Sequence, residues 1–295
     1  MRVTVVGAGI VGLSSAYRLA EAGHDVTVVA AAPPAGSTSA IAGGVVYPPV
    51  KRPDERIVRW TAASLEVFRG QDAPGVRFRR GGVLLAAGDP DPQWLAAVDD
   101  AARDGDRVEF TTAVVDTPVY LAWLLERAGE LGVRAEYRPV TSLSGFDADV
   151  VVNAAGLGAG PLAGDDAMVP VGGQVVHLAD PGLAEFAVDE TGPGVTYVIP
   201  HGTHVVCGGT EEPGRGDTEP NPAVTADILR RCRALEPRLA DAEVLRSLVG
   251  LRPFRREVRL ERAGDVVHCY GHGGAGITLA WGCAADVAEL VTAAG

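Results

Sequence analysis

Two glycine-rich turns carry the residue types and spacing with the clearest chemistry. Gly7-Ala8-Gly9-Ile10-Val11-Gly12 is a G-x-G-x-x-G run. The first glycine permits a tight turn, the second lets backbone approach a pyrophosphate, and the third allows a helix to pack closely on a strand. Gly271-His272-Gly273-Gly274-Ala275-Gly276 is a second such turn near the other end of the chain. Each is placed to open a helix, whose N-terminus offers unsatisfied N–H groups and a positive dipole end. That pattern suits the holding of phosphates and other electron-rich groups.

The flanking elements are those the turns need. Arg2 to Val6 reads as a buried strand, Leu13 to Ala22 as a helix with Gly23 as its stop, and Val26 to Ala30 as a second strand. This is a strand–turn–helix–strand unit for a dinucleotide. An acidic ribose ligand is expected about 20 residues past the glycines, but Ala30-Ala31-Ala32-Pro33-Pro34 stands there. The ribose is left to backbone or to Ser37, Thr38 or Ser39. At the other end, Asp265 to Tyr270 reads as a strand and Ile277 to Leu290 as a helix. A second strand, glycine loop and helix exceeds what a nicotinamide cofactor requires. It suits a flavin, whose reduced ring gathers negative charge that a helix N-terminus would stabilise.

Between the two turns the pattern changes twice. Gly36 to Val45 is rich in small residues, and its paired Gly43-Gly44 suggests close approach to a ligand. Glu55 to Arg69 and Pro92 to Asp104 read as surface helices, with a strand over Arg77 to Leu85. Thr117-Pro118 opens a helix that Gly132 stops, followed by a strand from Val133 to Tyr137. Asp149 to Asn153 reads as a strand of a buried parallel sheet, ending at Ala154-Ala155-Gly156. From Val169 onward the chain is β-rich: Gln174 to Leu178, Val195 to Pro200, His204 to Gly208, Val244 to Gly250 and Glu257 to Glu261, with a polar helix over Pro222 to Glu236. The expected fold class is α/β plus α+β. A Rossmann-like domain over 1–50, 105–170 and 262–295 is interleaved with a domain over 51–104 and 171–261 built on a mainly antiparallel sheet.

The chain's 295 residues carry a net charge of -12. This excludes the basic face that a nucleic acid or an anionic membrane would need. No run approaches the roughly 20 uninterrupted apolar residues of a membrane span. Cys207, Cys232, Cys269 and Cys283 form no CxxC pair and read as reduced thiols of a cytoplasmic protein. His201, His204 and Cys207 could be written as a metal cluster, as could His268, Cys269 and His272. Strand alternation sends such neighbours to opposite faces, so no metal is expected. A Ser/His/Asp hydrolase would need a G-x-S-x-G elbow, which the chain lacks.

Together, Val5-Val6-Gly7-Ala8-Gly9, Ser37 to Pro48, Tyr197-Val198-Ile199-Pro200, Gly208-Gly209, Leu251-Arg252-Pro253, Arg259 to Arg262 and Tyr270 to Thr278 with Trp281-Gly282-Cys283 resemble the D-amino-acid oxidase family over essentially the whole chain. The resemblance implies a glutathione-reductase-type nucleotide fold with non-covalent FAD. It also implies oxidative deamination of a D-amino acid to a 2-oxo acid, ammonia and hydrogen peroxide, by hydride transfer from the α-carbon to flavin N5 with O2 as acceptor. By the same resemblance Arg252 pairs with the substrate carboxylate, Tyr197 hydrogen-bonds it, and the Gly274 carbonyl accepts from the amine. Gly273, Gly276, Ile277 and Thr278 hold the flavin, Val140 and Gly156 the adenosine side, and Thr38, Ser39, Gly43, Gly44 and Val45 the diphosphate and ring. Arginine suits a carboxylate in a dry pocket because its fork binds bidentately. Arg255, Arg256, Arg259 and Arg262 read as surface or structural charges.

The family's lid tyrosine before Tyr197 is missing from the short Asp189 to Gly194 stretch. Asp189 and Glu190 there could favour basic substrates, though a solvated acidic loop is the plainer reading. D-aspartate oxidation, for which Lys51 or Arg52 could supply a cation, glycine or sarcosine oxidation, and a non-catalytic dinucleotide-binding protein stand as alternatives. A homodimer is left open.

Overall fold

The computed structural model describes residues 1–47, 55–88, 93–98 and 100–293. The chain forms two compact units: Met1–Ala42 with Thr117–Pro170 and Arg252–Gly295, and Gly43–Asp116 with Val171–Leu251.

In the first unit five strands run parallel, in the order Val266–His272, Val150–Asn153, Arg2–Val6, Asp25–Ala30 and Arg134–Tyr137. The Val150–Asn153 strand is buried throughout, as expected of a strand covered on both faces. Residues 252–263 of the long strand Val244–Ala263 pair antiparallel with Val266–His272. The helices Ile10–Glu21, Thr117–Glu130 and Gly276–Thr292 pack on one another: the Trp281 Nε1–H donates to the Tyr120 hydroxyl at 3.0 Å, and both rings are fully buried. Against expectation, 273–292 is long and apolar enough to pass for a membrane span. Ten residues of the helix are buried in the unit, from Ile277 to Val291, so its hydropathy is that of a core helix.

The second unit is a mainly antiparallel sheet. Its strands run in the order Ala102–Asp104, Arg107–Val115, Val76–Leu84, Phe186–Asp189, Thr196–Pro200, His204–Gly208 and Val169–Ala179, with Val76–Leu84 and Phe186–Asp189 the parallel pair. The helices Glu55–Gly70 and Pro222–Leu235 complete it. Its core holds Trp60, Phe68, Phe110 and Phe186.

Three expectations need correction. The helix expected over Pro92 to Asp104 is a short 3-10 turn, Gln93–Ala97, followed by the strand Ala102–Asp104. The strands expected at Val244 to Gly250 and Glu257 to Glu261 are one strand, Val244–Ala263, with an irregular register between Phe254 and Arg259. The units divide at 42/43, 116/117 and 251/252 instead of 50/51, 104/105 and 261/262. Long-range pairing is the reason. Arg107–Val115 pairs along its length with Val76–Leu84, Val45 bridges Val114, and Arg259 to Ala263 pair with Tyr270 to Val266.

The second unit also stacks three imidazoles. His177 and His201 each lie on His204, with centroids 4.8 and 4.9 Å apart and planes within 12°. The Arg246 Nε–H donates to His177 Nδ1 at 3.3 Å, and His201 Nε2 donates to the Gly43 carbonyl at 3.0 Å. Burial first, then the neighbouring His204, pushes His177 down to about 3 and His201 to about 4. Asp116 and Asp180 favour protonation within this group while Arg79 and Arg246 oppose it, and burial leaves His204 lowered as well. Between pH 6.5 and about 4 the unfolded chain therefore binds protons that the folded chain refuses, so stability rises with pH across that window. Denaturant midpoints are expected to show a loss of about 3 kcal/mol from pH 6.5 to pH 5, at up to about 1.4 kcal/mol per unit for each of two histidines. The slope should flatten in His177→Gln and His201→Gln. An unchanged slope in both variants would assign the acid sensitivity elsewhere.

Candidate active site

All five parallel strands of the first unit end on one edge, where such sheets bind ligands. Strand Arg2–Val6 ends there in Gly7, whose φ is +120° and whose position admits no Cβ: the added atom would overlap the Ala154 carbonyl. A Cβ on Gly12 would overlap the Gly7 carbonyl in the same way, so helix Ile10–Glu21 sits directly on the strand end. Ala8 and Ile10 are buried beneath the turn and Val11 is half-buried.

The N-cap of this helix is Gly9, which has no capping side chain. Ser39 fills part of that role, its Oγ accepting from the Ile10 N–H at 3.1 Å. Ser39 thus stands at the helix mouth, beside Thr38, which leads the 3-10 turn Thr38–Ile41. The Ser37 hydroxyl donates to the Pro34 carbonyl at 2.6 Å, which takes it out of the candidate ribose ligands as a donor. Gly156 opens the 3-10 turn after Val150–Asn153, and Val140, half-buried, follows strand Arg134–Tyr137. Both lie past carboxyl ends on the same edge.

The second glycine turn completes this edge. Gly273–Ala275 is a 3-10 turn leading into helix Gly276–Thr292, whose N-cap Ala275 again offers no capping group. A Cβ on Gly276 would stand 3.6 Å from Ile10 Cγ2, so the two helix starts are neighbours. Ile277 and Thr278 are buried, while Gly274 is exposed. Arg252 is half-buried, and its Cδ lies 3.5 Å from where a Gly274 Cβ would be. Its stem therefore runs along the exposed glycine. Two of the other arginines are engaged in structure: Arg255 Nε meets Asp165 at 3.0 Å and Arg259 Nη1 meets it at 3.7 Å, with the Tyr270 hydroxyl donating to the same carboxylate at 2.9 Å. Burial pushes the Asp165 carboxyl up, but hydrogen bonds from Tyr270, the Ala167 N–H and Arg255 bring it below the usual range. Arg262 donates to the Leu290 carbonyl at 3.0 Å.

The remaining candidates gather in the second unit. Tyr197 packs its ring against Gly43, Gly208 and Gly209; a Cβ on Gly43 would lie 3.3 Å from Tyr197 Cε2. The Gly44 carbonyl accepts from the Val115 N–H at 2.8 Å, and Val45 bridges Val114. His201, 158 positions away in sequence, fixes the Gly43 carbonyl. No local pattern marks it for that role. Both acids of the short stretch are used within the unit: Glu190 accepts from the Tyr47 hydroxyl and Asp189 from the Thr191 hydroxyl, each at 2.6 Å. Pro48, Lys51 and Arg52 lie outside the described residues.

These features fit FAD. Two adjacent helix starts, whose N-cap residues Gly9 and Ala275 bring no side-chain cap of their own, would offer first-turn N–H groups to a diphosphate and to an electron-rich ring. At Gly9 an added Cβ would stand 3.1 Å from Ser39 Oγ, so a side chain there would have to push that hydroxyl from the helix mouth.

The family model for FAD dependent oxidoreductases matches residues 2–290. The chain belongs to this family, and FAD is its cofactor. It is 46% identical to a D-amino-acid oxidase of Rubrobacter xylanophilus, over 99% of this chain and 96% of that protein. It is 35% identical to human D-aspartate oxidase, over 99% of this chain and 94% of that protein. Among solved structures, glycine oxidase from Bacillus cereus superposes with a TM-score of 0.83 at 21% identity, covering 100% of this chain and 95% of that one. That likeness concerns the fold.

Proposed function

We propose that this oxidoreductase acts on D-amino acids with neutral side chains, yielding the 2-oxo acid, ammonia and hydrogen peroxide. The observation that carries the reading is Arg252 laid along the exposed Gly274, beside a helix start whose N-cap, Ala275, brings no side-chain cap, in a chain 46% identical to a D-amino-acid oxidase over nearly its full length.

In this reading the Arg252 guanidinium takes the α-carboxylate through paired N–H donors, a geometry that fixes orientation as well as charge. The Gly274 carbonyl accepts from the substrate amine, which is held neutral so that the lone pair can follow the departing hydride. On the family resemblance, Tyr197 adds a hydrogen bond to the carboxylate. Bound FAD supplies the two-electron acceptor, and O2 takes those electrons on. The protein's part is orientation, and holding reacting atoms at near-attack distance supplies much of the rate enhancement. No side-chain base is assigned.

Anaerobic mixing of the FAD-loaded protein with D-alanine, D-aspartate, D-lysine, their L-forms and glycine tests this, with the flavin absorbance as the readout. The expected result is bleaching by D-alanine and none by any L-form. Bleaching by D-aspartate alone would move the assignment to an acidic substrate. Bleaching by none of them would remove amine oxidation of this set from consideration.

A further inference from the structure

Strand alternation argues against a metal site at His268, Cys269 and His272, and that trio does not assemble. His268 turns to Asn153, with His268 Nδ1 3.4 Å from Asn153 Nδ2. The chain instead brings Cys269, His272 and Cys283 together: one ligand atom from each lies within 4.8 Å of the others, and all three residues are buried. Two local features make this possible. Gly271, with φ +88°, breaks the strand's alternation between Cys269 and His272, so that residues an odd number apart share a face. Cys283 comes from the second turn of the helix that follows, Gly276–Thr292.

We propose that Cys269, His272 and Cys283 form a binding site for a borderline-soft divalent ion of the Zn2+ class. His272 is 4% exposed, and its Nε2 has no hydrogen-bond partner. A buried imidazole nitrogen left without a partner is costly, and a metal bound through Nε2 would remove that cost. The two thiols are not joined in a disulfide. They stand as neighbours, with one ligand atom of each within 4.8 Å of the other and of His272.

Charge selects the ion. Two thiolates and a neutral imidazole around a divalent cation sum to zero, the arrangement a buried site tolerates best. Loading displaces two protons, one from each thiol, as the Zn–S bonds form, with no change of oxidation state. Three protein ligands with a water in the fourth position is the pattern of an open zinc site, with Zn–S of about 2.3 Å and Zn–N of about 2.0 Å. Reaching it requires the ligand atoms to draw inward by roughly an ångström or less. The oxygen-preferring ions Mg2+ and Ca2+ are not matched by this donor set.

The test uses the full-length, FAD-loaded protein kept reduced and freed of metal by chelation, with Zn2+ titrated against a chromophoric chelator. One Zn2+ per chain is expected, weakened at least about 100-fold in Cys269→Ser and in Cys283→Ser, at or beyond the 10–100-fold typical of losing an outer-shell partner. A Co2+ titration of the unaltered protein gives a second readout independent of variant folding: thiolate-to-metal charge transfer, with intense ligand-field bands to the red of the oxidised flavin. Absence of stoichiometric Zn2+ uptake, wild-type affinity in both serine variants, or a Co2+ spectrum without the thiolate band would overturn the site. None of these outcomes depends on which amine the enzyme oxidises.

Discussion

Arg252→Ala is expected to lower kcat/KM for a D-amino acid by about 10³-fold or more while the bound flavin is retained. The magnitude comes from two terms. A hydrogen bond to a charged partner contributes about 1.5–3 kcal/mol, and leaving a desolvated charge unpaired costs about 3–5 kcal/mol. These terms overlap, and a combined 4–5 kcal/mol at about 1.4 kcal/mol per decade gives the stated range. Arg252→Lys keeps the charge but loses the fork, so it should recover only part of the loss, with both kcat and KM altered because the carboxylate is held but poorly oriented. The residue is half-buried beside Gly274, and the Asp165 carboxylate is held by Arg255 and Arg259. An Arg252→Ala enzyme within tenfold of the parent, with flavin bound, would remove Arg252 from the carboxylate role. Loss of flavin in the same variant would instead tie Arg252 to the cofactor edge.

The parts of this fold that were legible in the sequence are those written within one strand, turn and helix. Gly7 to Gly12 and Gly271 to Gly276 declare themselves because each spacing encodes a local geometry. The Thr117–Glu130 helix is announced by its proline and its stop. What escaped is set by pairings between distant segments. Nothing near Arg107–Val115 says that it joins Val76–Leu84, and that pairing moves a unit boundary. The Cys269, His272 and Cys283 group depends on a left-handed Gly271 and on a residue of the following helix, whereas the alternation argument weighed only His268, Cys269 and His272. Burial of the stacked histidines follows from cross-strand register, with His177 opposite Val206 two positions from His204, and register is invisible to composition. The site is similar: the two glycine turns that open helices were readable, whereas His201 holding the Gly43 carbonyl was not.

Gly7→Ala should cost the first unit its cofactor and much of its stability. Two effects act together. A non-glycine residue forced to φ near +120° bears about 1–3 kcal/mol of backbone strain. The new methyl also meets the Ala154 carbonyl, a backbone atom that no rotamer change can move, and overpacking of that kind costs a further 1–3 kcal/mol. A loss of about 3–5 kcal/mol is a large share of the 5–15 kcal/mol that holds a typical domain together. Relief by separating Arg2–Val6 from Val150–Asn153, which Ala154 follows, would widen the turn against which the diphosphate is expected to lie, so flavin retention and melting temperature should fall together. Gly129→Ala is the control. Gly129 lies within helix Thr117–Glu130, is exposed, and has nothing within 4 Å of an added Cβ, so there alanine should raise stability by about 0.5–1 kcal/mol through helix propensity alone. Flavin-to-protein ratios and thermal melts of the two variants read both effects. A Gly7→Ala protein that keeps stoichiometric flavin and melts with the parent would show that the turn yields to a side chain, and the phosphate-cradle reading of Gly7 to Gly12 would go with it.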